Sequence, residues 1–169
     1  HITRKDYDVE KLVWIIKEFK KKYDLDVYLE PGEAVGWETG CLVSTVLDVF
    51  KNGMNVAILD TSAEAHMPDT LAMPYRAMVR GSANALEKAH TYRLGGNTCL
   101  AGDIMGDYSF DKPLEIGDEI IFEDQIHYTF VKNTTFNGIK LPSLVIKRKS
   151  GELDLIKEFG YEDYKGRLS

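Results

Sequence analysis

An amphipathic helix is the first pattern in the chain. Apolar residues recur at helical spacing, at Leu12, Val13, Ile15, Ile16 and Phe19. Charged residues, mostly lysines, occupy the other face, and Asp6 or Asp8 is a candidate N-cap. Residues 25–29 then alternate between apolar and polar side chains, which predicts a short strand that runs into the polar loop 30–33.

A helix, a strand and a polar loop in this order are typical of one repeat of a β/α barrel, where active-site residues collect at the carboxyl ends of the strands. One repeat cannot close a barrel, which needs about eight. We therefore expect residues 1–36 to be the terminal helix-strand segment of a barrel whose other repeats lie in preceding sequence or in another chain.

The rest of the chain predicts strands and hairpins. Residues 41–50 are rich in Val, Thr and Leu, and Asn52-Gly53 separates them from the apolar run 55–60, which indicates a hairpin. Further strands are expected at residues 77–80, 91–94, 119–123, 128–132 and 143–149, and a short amphipathic helix at 153–159. The predicted fold class is mixed α/β, with a mostly antiparallel β domain over 37–152 and a closing helical tail over 153–169.

The composition is that of a globular protein with one good core, because 44% of the 169 residues are apolar. No stretch approaches the roughly 20 apolar residues that span a bilayer, and the first residues have no apolar signal-peptide core. We expect a cytoplasmic protein that binds no membrane. The net charge of −6 disfavours a nucleic-acid partner and favours cationic ligands.

The two cysteines, Cys41 and Cys99, are too few for a disulfide framework, and we expect both to be free thiols. Cys99 lies between Gly95-Gly96 and Gly102, and such glycines can present a reactive side chain at the mouth of a pocket. An ordinary turn with a buried cysteine is the alternative. A Cys-His pair remains open, whereas no zinc-type spacing predicts a metal.

Several charged residues have two readings. The acidic stretch 60–69 could hold a cationic substrate or could be a solvated loop. Arg76 could bind a ligand carboxylate through two hydrogen bonds, or could form an ion pair with an acidic side chain on the protein surface. Asp103 could face a ligand or could bond its own turn.

Taken in order, the motifs resemble those of the pyridoxal-phosphate decarboxylases of the ornithine/diaminopimelate type, with an alanine-racemase-like fold. Glu30-Pro31-Gly32 resembles their Glu-Pro-Gly-Arg, whose glutamate faces the pyridine nitrogen of pyridoxal 5'-phosphate. Gly96-Asn97-Thr98-Cys99 resembles Gly-Pro-Thr-Cys, whose cysteine enters the partner subunit's active site. The tyrosine of 126–129 corresponds to one that approaches the cofactor phosphate, and 135–138 to a run near the substrate pocket.

The resemblance implies a homodimeric carboxy-lyase with shared active sites. The implied catalytic residue is Cys99, the cofactor-binding residues are Glu30, Gly32 and Tyr128, and the substrate-binding candidates are Asp103, Asp60, Glu33, Asp69, Arg76 and Phe136. The motifs around 59–76 and 95–103 resemble the branch that acts on carboxynorspermidine or carboxyspermidine, a polycationic amino acid. Diaminopimelate decarboxylases have an acid where Leu100 stands.

The sequence departs from the family pattern in two ways. Glu33 replaces the arginine that helps to hold the phosphate, and a carboxylate repels a dianion. No lysine here lies in a recognisable Schiff-base motif, so we expect that lysine and the N-terminal barrel portion to be absent from this chain. The alternatives are a diaminopimelate or other basic amino-acid decarboxylase of the same fold, and a non-catalytic homologue that serves as a binding module.

Overall fold

The computed structural model describes residues 7–168. They form two compact units, one that ends at Trp37 and one that begins at Glu38. In the first unit, helix α1 spans Val9–Tyr23. Asp8 caps this helix because its carboxylate accepts a hydrogen bond from Lys11 N at 2.9 Å. One of the two predicted caps is thus confirmed, and the other, Asp6, lies outside the described residues.

The predicted strand at residues 25–29 is wrong. Helix α1 ends at Asp24 in the left-handed conformation, and an irregular segment leads to a 3₁₀ turn at Gly32–Gly36. An extended segment becomes a strand only when a neighbouring strand exchanges hydrogen bonds with it. No strand does so within the described part of the chain. The assignment of residues 1–36 to a barrel stays a prediction.

The second unit contains a six-stranded sheet with the order β3-β5-β4-β2-β1-β6. The strands are β1 at Cys41–Asn52, β2 at Met54–Leu59, β3 at Ala83–Asn84, β4 at His90–Gly95, β5 at Ile104–Phe110 and β6 at Glu119–Glu123. Only the β2–β4 pair among them is parallel. The prediction of a mixed α/β chain with a mostly antiparallel β domain is confirmed.

The predicted hairpin joins β1 to β2. Asn52 pairs with Met54 across Gly53, whose φ of 70° is one that glycine adopts without steric cost. The chain then leaves β2 at Asp60 and enters two short helices, α2 at Ala63–His66 and α3 at Asp69–Ala72. This connection lies beside the loop between β4 and β5, so the two loops that carry Asp60, Asp69, Cys99 and Asp103 meet at one end of the sheet.

The core consists of inward-facing side chains from five strands. Its largest fully buried apolar members are Val46, Leu59, Leu94, Tyr108, Ile120 and Phe122, together with Met67 from the α2–α3 connection. The Tyr108 hydroxyl donates to Ala77 O at 2.7 Å. Burial raises the pKa of Tyr108 to about 12. The sheet is thus a rigid base for the loops at its edge.

Two predicted elements have the wrong type. Residues 128–132 were expected to form a strand, but Tyr128–Val131 is a one-turn helix, α4. Residues 153–159 were expected to form a helix, but Leu153–Lys157 is strand β8, paired with β7 at Leu144–Lys147. A short final helix, α5, follows at Tyr161–Lys165. Segments this short take the structure that their hydrogen-bonding neighbours allow, and this overrides local propensity.

Two further differences concern strands. Strands β3 and β5 were not predicted, because β3 has only two residues and because Gly106 and Asp107 interrupt the apolar pattern of β5. The predicted strand at 77–80 is reduced to a single bridge between Val79 and Phe122 of β6. The strands predicted at 91–94, 119–123 and 143–149 correspond to β4, β6 and β7.

Candidate functional site

Cys99 lies on the loop between β4 and β5, and its side chain is exposed. The loop begins with Gly95 and Gly96 and returns to the sheet at Asp103. Gly96 N donates to Asp103 O at 2.8 Å, and Asp103 N donates to Leu100 O at 3.0 Å. These two bonds close the loop at its base and leave Cys99 near its tip.

Asp103 is buried and joins this loop to the one after β2. Its Oδ2 accepts hydrogen bonds from Thr98 N at 3.0 Å and from Thr98 Oγ1 at 2.6 Å. Its Oδ1 accepts from Ser62 Oγ at 3.0 Å, from Ala63 N at 2.7 Å and from Glu64 N at 3.4 Å. Because donors from the protein occupy both oxygens, the geometry favours a role in holding the two loops together over direct contact with a substrate.

The glycine at position 96 is required by this carboxylate. A Cβ atom there would overlap the Asp103 carboxyl group. Gly102, in the same loop, has nothing within 4 Å of the position a Cβ would take. The two glycines therefore differ in kind: one makes room for Asp103, and the other lies in open space.

His66, at the end of α2, links this region to the segment after α4. Its Nδ1 lies 2.8 Å from Thr61 Oγ1 and its Nε2 lies 3.1 Å from Lys140 O. A carbonyl oxygen only accepts, so Nε2 carries the proton and Nδ1 accepts from Thr61. Burial lowers the pKa of His66, while the Lys140 carbonyl and the charges of Asp60 and Asp103 oppose that effect.

Phe136 and Asn137 lie in that segment, in a 3₁₀ turn at Phe136–Gly138. Asn137 Oδ1 accepts a hydrogen bond from Cys99 N at 2.9 Å. The Phe136 ring is 39% exposed and so can contact a ligand. The fold therefore brings two of the predicted site residues, Cys99 and Phe136, onto adjoining loops.

Tyr128 and Asp69 are brought together through a residue that the sequence analysis missed. Tyr128 begins α4 with its side chain half exposed. Lys132 Nζ lies 4.7 Å from the centre of its ring and 2.6 Å from Asp69 Oδ1. Asp69 is 2% exposed, so its carboxylate is committed to this ion pair. A lysine four residues after the tyrosine, at helical spacing, was the signal in the sequence.

Arg76 and Asp60 also have partners in the protein. The Arg76 guanidinium lies 3.9 Å above the Tyr108 ring and donates to Asp107 O and Ala83 O. Asp60 Oδ1 accepts from Ser44 Oγ at 2.6 Å and from Thr45 N at 2.8 Å, although the residue as a whole is exposed. Asp60 keeps an oxygen for a ligand, whereas the contacts of Arg76 are those of a structural residue.

The remaining candidates lie in the first unit. Glu30 is exposed in the irregular segment after α1. Gly32 opens the 3₁₀ turn with φ at 60°, a conformation that favours glycine. Glu33 lies within that turn and is half-buried. The roles predicted for these three residues stay predictions, as do those of the candidates in the second unit.

Neither a metal centre nor a membrane span is evident in the described residues. No three side chains of His, Cys, Asp or Glu among residues 7–168 cluster closely enough to hold a metal ion. The helices in the same range are all too short or too polar to cross a bilayer.

Comparison with known proteins gives a consistent result. The family described as "Pyridoxal-dependent decarboxylase, C-terminal sheet domain" matches residues 7–125. A carboxynorspermidine/carboxyspermidine decarboxylase from Campylobacter jejuni is 56% identical over 97% of this chain and 46% of its own length. A carboxyaminopropylagmatine decarboxylase from Synechocystis is 49% identical over 99% of this chain and 44% of its own length.

The same likeness holds in three dimensions. The crystal structure of carboxynorspermidine decarboxylase from Campylobacter jejuni, complexed with norspermidine, superimposes with a TM-score of 0.91 at 56% identity. The superposition includes 99% of this chain and 48% of the Campylobacter jejuni chain. The chain therefore spans about half the length of the curated relatives it matches, and it corresponds to their C-terminal portion.

Proposed function

The chain belongs to the pyridoxal-dependent decarboxylases through their C-terminal sheet domain, and on this premise we propose that the complete protein decarboxylates carboxynorspermidine or carboxyspermidine. The products are norspermidine or spermidine. The observation that carries this proposal is 56% identity, over nearly the whole chain, to a decarboxylase of that name. We further propose that the protein is a cytoplasmic homodimer whose subunits share their active sites.

The side chains present fit pyridoxal 5'-phosphate in kind. When bound, this cofactor accepts the electrons that a departing carboxylate leaves behind. Glu30 offers an exposed carboxylate, which would stabilise a protonated ring nitrogen beside it. Gly32, two residues after Glu30, turns the backbone with a positive φ. Tyr128 offers a half-exposed hydroxyl group as a donor to a phosphate oxygen.

Lys132 supplies the positive charge that the phosphate requires. Glu33 stands where the wider family has an arginine, and a carboxylate does not attract a dianion. The Lys132 ammonium lies on the Tyr128 ring and is held there by Asp69. About half of its side chain is exposed, so donors remain for a phosphate oxygen. We assign Lys132 to phosphate binding and Asp69 to the positioning of Lys132.

Cys99 holds the proton that returns to the substrate carbon after carbon dioxide leaves. A thiol can act as a general acid when it is placed within hydrogen-bond reach of the reacting atom. The exposure of Cys99 suits a residue that completes a site on a second subunit. Asp103 holds the loop through hydrogen bonds to Thr98, and these bonds restrain the position of the neighbouring Cys99 thiol.

The substrate would be recognised mainly through its positive charges. Carboxynorspermidine carries several ammonium groups, and carboxylates are their natural partners. Asp60, exposed and with one oxygen available, and Glu33 are the acids that we assign to this task. Phe136 adds an exposed apolar surface for the carbon chain between the amines. Asp103 instead organises the loops, because its oxygens already accept from five donors.

A second substrate has specific support. The Synechocystis relative, 49% identical, is a carboxyaminopropylagmatine decarboxylase. That substrate would share a carboxylated aminopropyl group with carboxynorspermidine and differ at its far end. A diaminopimelate or basic amino-acid decarboxylase of the same fold and a non-catalytic homologue are the further rivals.

Product analysis of the full-length protein with bound cofactor separates these proposals. The protein is offered carboxynorspermidine, carboxyspermidine, carboxyaminopropylagmatine, diaminopimelate and ornithine in turn, and the amines formed are identified by mass. We expect the highest kcat/KM with one of the first two. Preference for diaminopimelate or ornithine would contradict the substrate proposal. No carbon dioxide from any of them would favour the non-catalytic homologue.

A further inference from the structure

We infer that Asn137 is a positioning residue for Cys99. Its side-chain Oδ1 accepts a hydrogen bond from the Cys99 backbone N–H at 2.9 Å, across 38 residues of sequence. Within residues 7–168, this is the one hydrogen bond in which Cys99 takes part. The inference rests on the proposed function, because the position of Cys99 matters to turnover only if its thiol takes part in the reaction.

The backbone conformation of Asn137 indicates that its side chain has a specific task. Its φ is 60° and its ψ is 14°, in the left-handed region, and Gly138 follows at a φ of 76°. Glycine occupies that region without steric cost, whereas other residues are disfavoured there and asparagine is among the best tolerated. A carboxamide at this position is therefore explained by the bond it makes, and that bond goes to Cys99.

The segment that carries Asn137 is itself anchored at both ends. Thr134 N donates to Ala65 O at 2.8 Å, and His66 Nε2 donates to Lys140 O at 3.1 Å. Both anchors lie on helix α2 at Ala63–His66. Asn137 thus lies between two anchored positions, Thr134 and Lys140. These anchors restrain the backbone that carries its carboxamide.

These bonds form a closed ring around Cys99. Asp103 binds both Thr98, next to Cys99, and Ala63 at the start of α2. The other end of α2 holds the segment that carries Asn137, and Asn137 returns to Cys99. The cysteine is therefore fixed by two routes that meet at α2, one through Asp103 and one through Asn137. Removal of the second route leaves Thr98 bound to Asp103 but takes away the hydrogen bond that holds Cys99 itself.

The consequence for the reaction follows from geometry. Delivery of a proton requires the sulfur within hydrogen-bond reach of the carbon that receives it, and misplacement by about 1 Å can lower the rate by about a hundredfold. Asn137 contacts Cys99 through the backbone and does not alter the thiol chemically. We therefore expect its loss to lower kcat while KM stays close to the wild-type value.

A matched pair of substitutions in the full-length holoenzyme tests this inference. Asn137→Gly removes the acceptor and relaxes the backbone at a positive φ, so this variant folds. Asn137→Asp keeps the acceptor oxygen and a residue type that tolerates the same φ. We expect kcat to fall about ten- to a hundredfold in the first variant, with KM within about a factor of three, and to be largely retained in the second.

A second readout does not depend on turnover. Cys41 and Cys99 are both exposed free thiols, so the ratio of their alkylation rates, followed by mass spectrometry, reports on Cys99 with Cys41 as the internal reference. We expect Asn137→Gly to change this ratio by about a factor of three or more, because the backbone of Cys99 loses its hydrogen bond to Asn137. Asn137→Asp should leave it near the wild-type value.

The outcomes separate this inference from the proposed function. A wild-type kcat and an unchanged alkylation ratio in Asn137→Gly would overturn the role of Asn137. Equal losses of kcat in both variants, with the ratio unchanged in each, would overturn it as well, because the acceptor would then be irrelevant. If the wild-type protein releases no carbon dioxide, the proposed function fails, and the alkylation ratio still decides whether Asn137 positions Cys99.

Discussion

Asp103 Oδ2 lies 2.6 Å from Thr98 Oγ1, and this bond ties the base of the loop that bears Cys99 to its tip. The other oxygen of the same carboxylate holds the loop after β2. The carboxylate accepts five hydrogen bonds in all, and hydrogen bonds to a charged acceptor are stronger than those between neutral groups. The position of Cys99 therefore depends on Asp103, whose carboxylate joins the two loops.

The two glycines of this loop give a matched test of the Asp103 contacts. Gly96→Ala would push its Cβ into the carboxylate, whereas Gly102→Ala would place it in open space. We expect the first substitution to lower the free energy of unfolding by about 2 kcal/mol or more, and the second to change it by less than about 0.5 kcal/mol. Denaturant unfolding of the full-length protein measures both. Equal effects would show that Asp103 does not fix this loop.

His66 gives the fold a sensitivity to acid. Burial lowers the pKa of His66 in the folded state, and an unfolded histidine has a pKa of about 6.5. Below that pH the unfolded state takes up a proton more readily than the folded state. The free energy of unfolding therefore falls as the pH drops below about 6.5. Above that pH the imidazole is neutral in both states, and His66 causes no pH-dependent loss.

Unfolding by denaturant at about pH 7.5 and about pH 5.5 measures this loss. His66→Gln should lose less stability between the two values than the wild-type protein does. His90→Gln removes a histidine on β4, outside these contacts, and should behave like the wild type. An unchanged pH dependence in His66→Gln would remove His66 as its cause.

Lys132 should contribute to the affinity for the phosphate group of the cofactor and not to the affinity for its ring. Lys132→Met removes the cation, and Lys132→Arg keeps it on the Tyr128 ring. We expect the methionine variant to bind pyridoxal 5'-phosphate about tenfold more weakly, and the arginine variant to bind it nearly as well as the wild type. Titration of the cofactor-free full-length protein measures this. Pyridoxal, which lacks the phosphate, is the control, and equal losses for both ligands would contradict the assignment.

Substitution of Arg76 distinguishes a structural role for this residue from a role in substrate binding. Its guanidinium stacks on Tyr108 and donates to two backbone carbonyls. Arg76→Lys loses the planar stack and should cost about 1 kcal/mol of stability. KM for the carboxylated amine should stay unchanged. A raised KM with full stability would instead restore the prediction, made from the sequence, that Arg76 binds a substrate carboxylate.

The sequence predicts the sheet well where a strand is long or alternates clearly. Cys41–Asn52 and Glu119–Glu123 have that pattern, and both form the strands expected. Tyr128–Val131 and Leu153–Lys157 were assigned the wrong type. Periodicity over four or five residues does not by itself separate helix from strand, even where, as at Glu119–Glu123, the assignment is correct. Their structure is decided by neighbours that are distant in sequence.

The sequence predicts which residues gather at the site better than it predicts what each one contacts. Asp69 and Asp103 were expected to bind the substrate because the resemblance implies a polycationic amino acid, whose amines pair with carboxylates. In the structure, Asp69 pairs with Lys132, 63 residues away, and Asp103 accepts a hydrogen bond from Ser62, 41 residues away. Pairings over such distances depend on the packing of the whole sheet, and no local pattern encodes them.

The central claim is that Cys99 completes an active site on a second subunit. In the most direct test, full-length Cys99→Ala is mixed with a full-length variant that lacks the lysine which holds the cofactor in the barrel portion. Each variant alone should be nearly inactive. If the subunits exchange freely, half of the dimers combine both variants, and each has one intact site, so the mixture should recover about a quarter of the wild-type activity. Recovery of none, with exchange demonstrated, would contradict the claim.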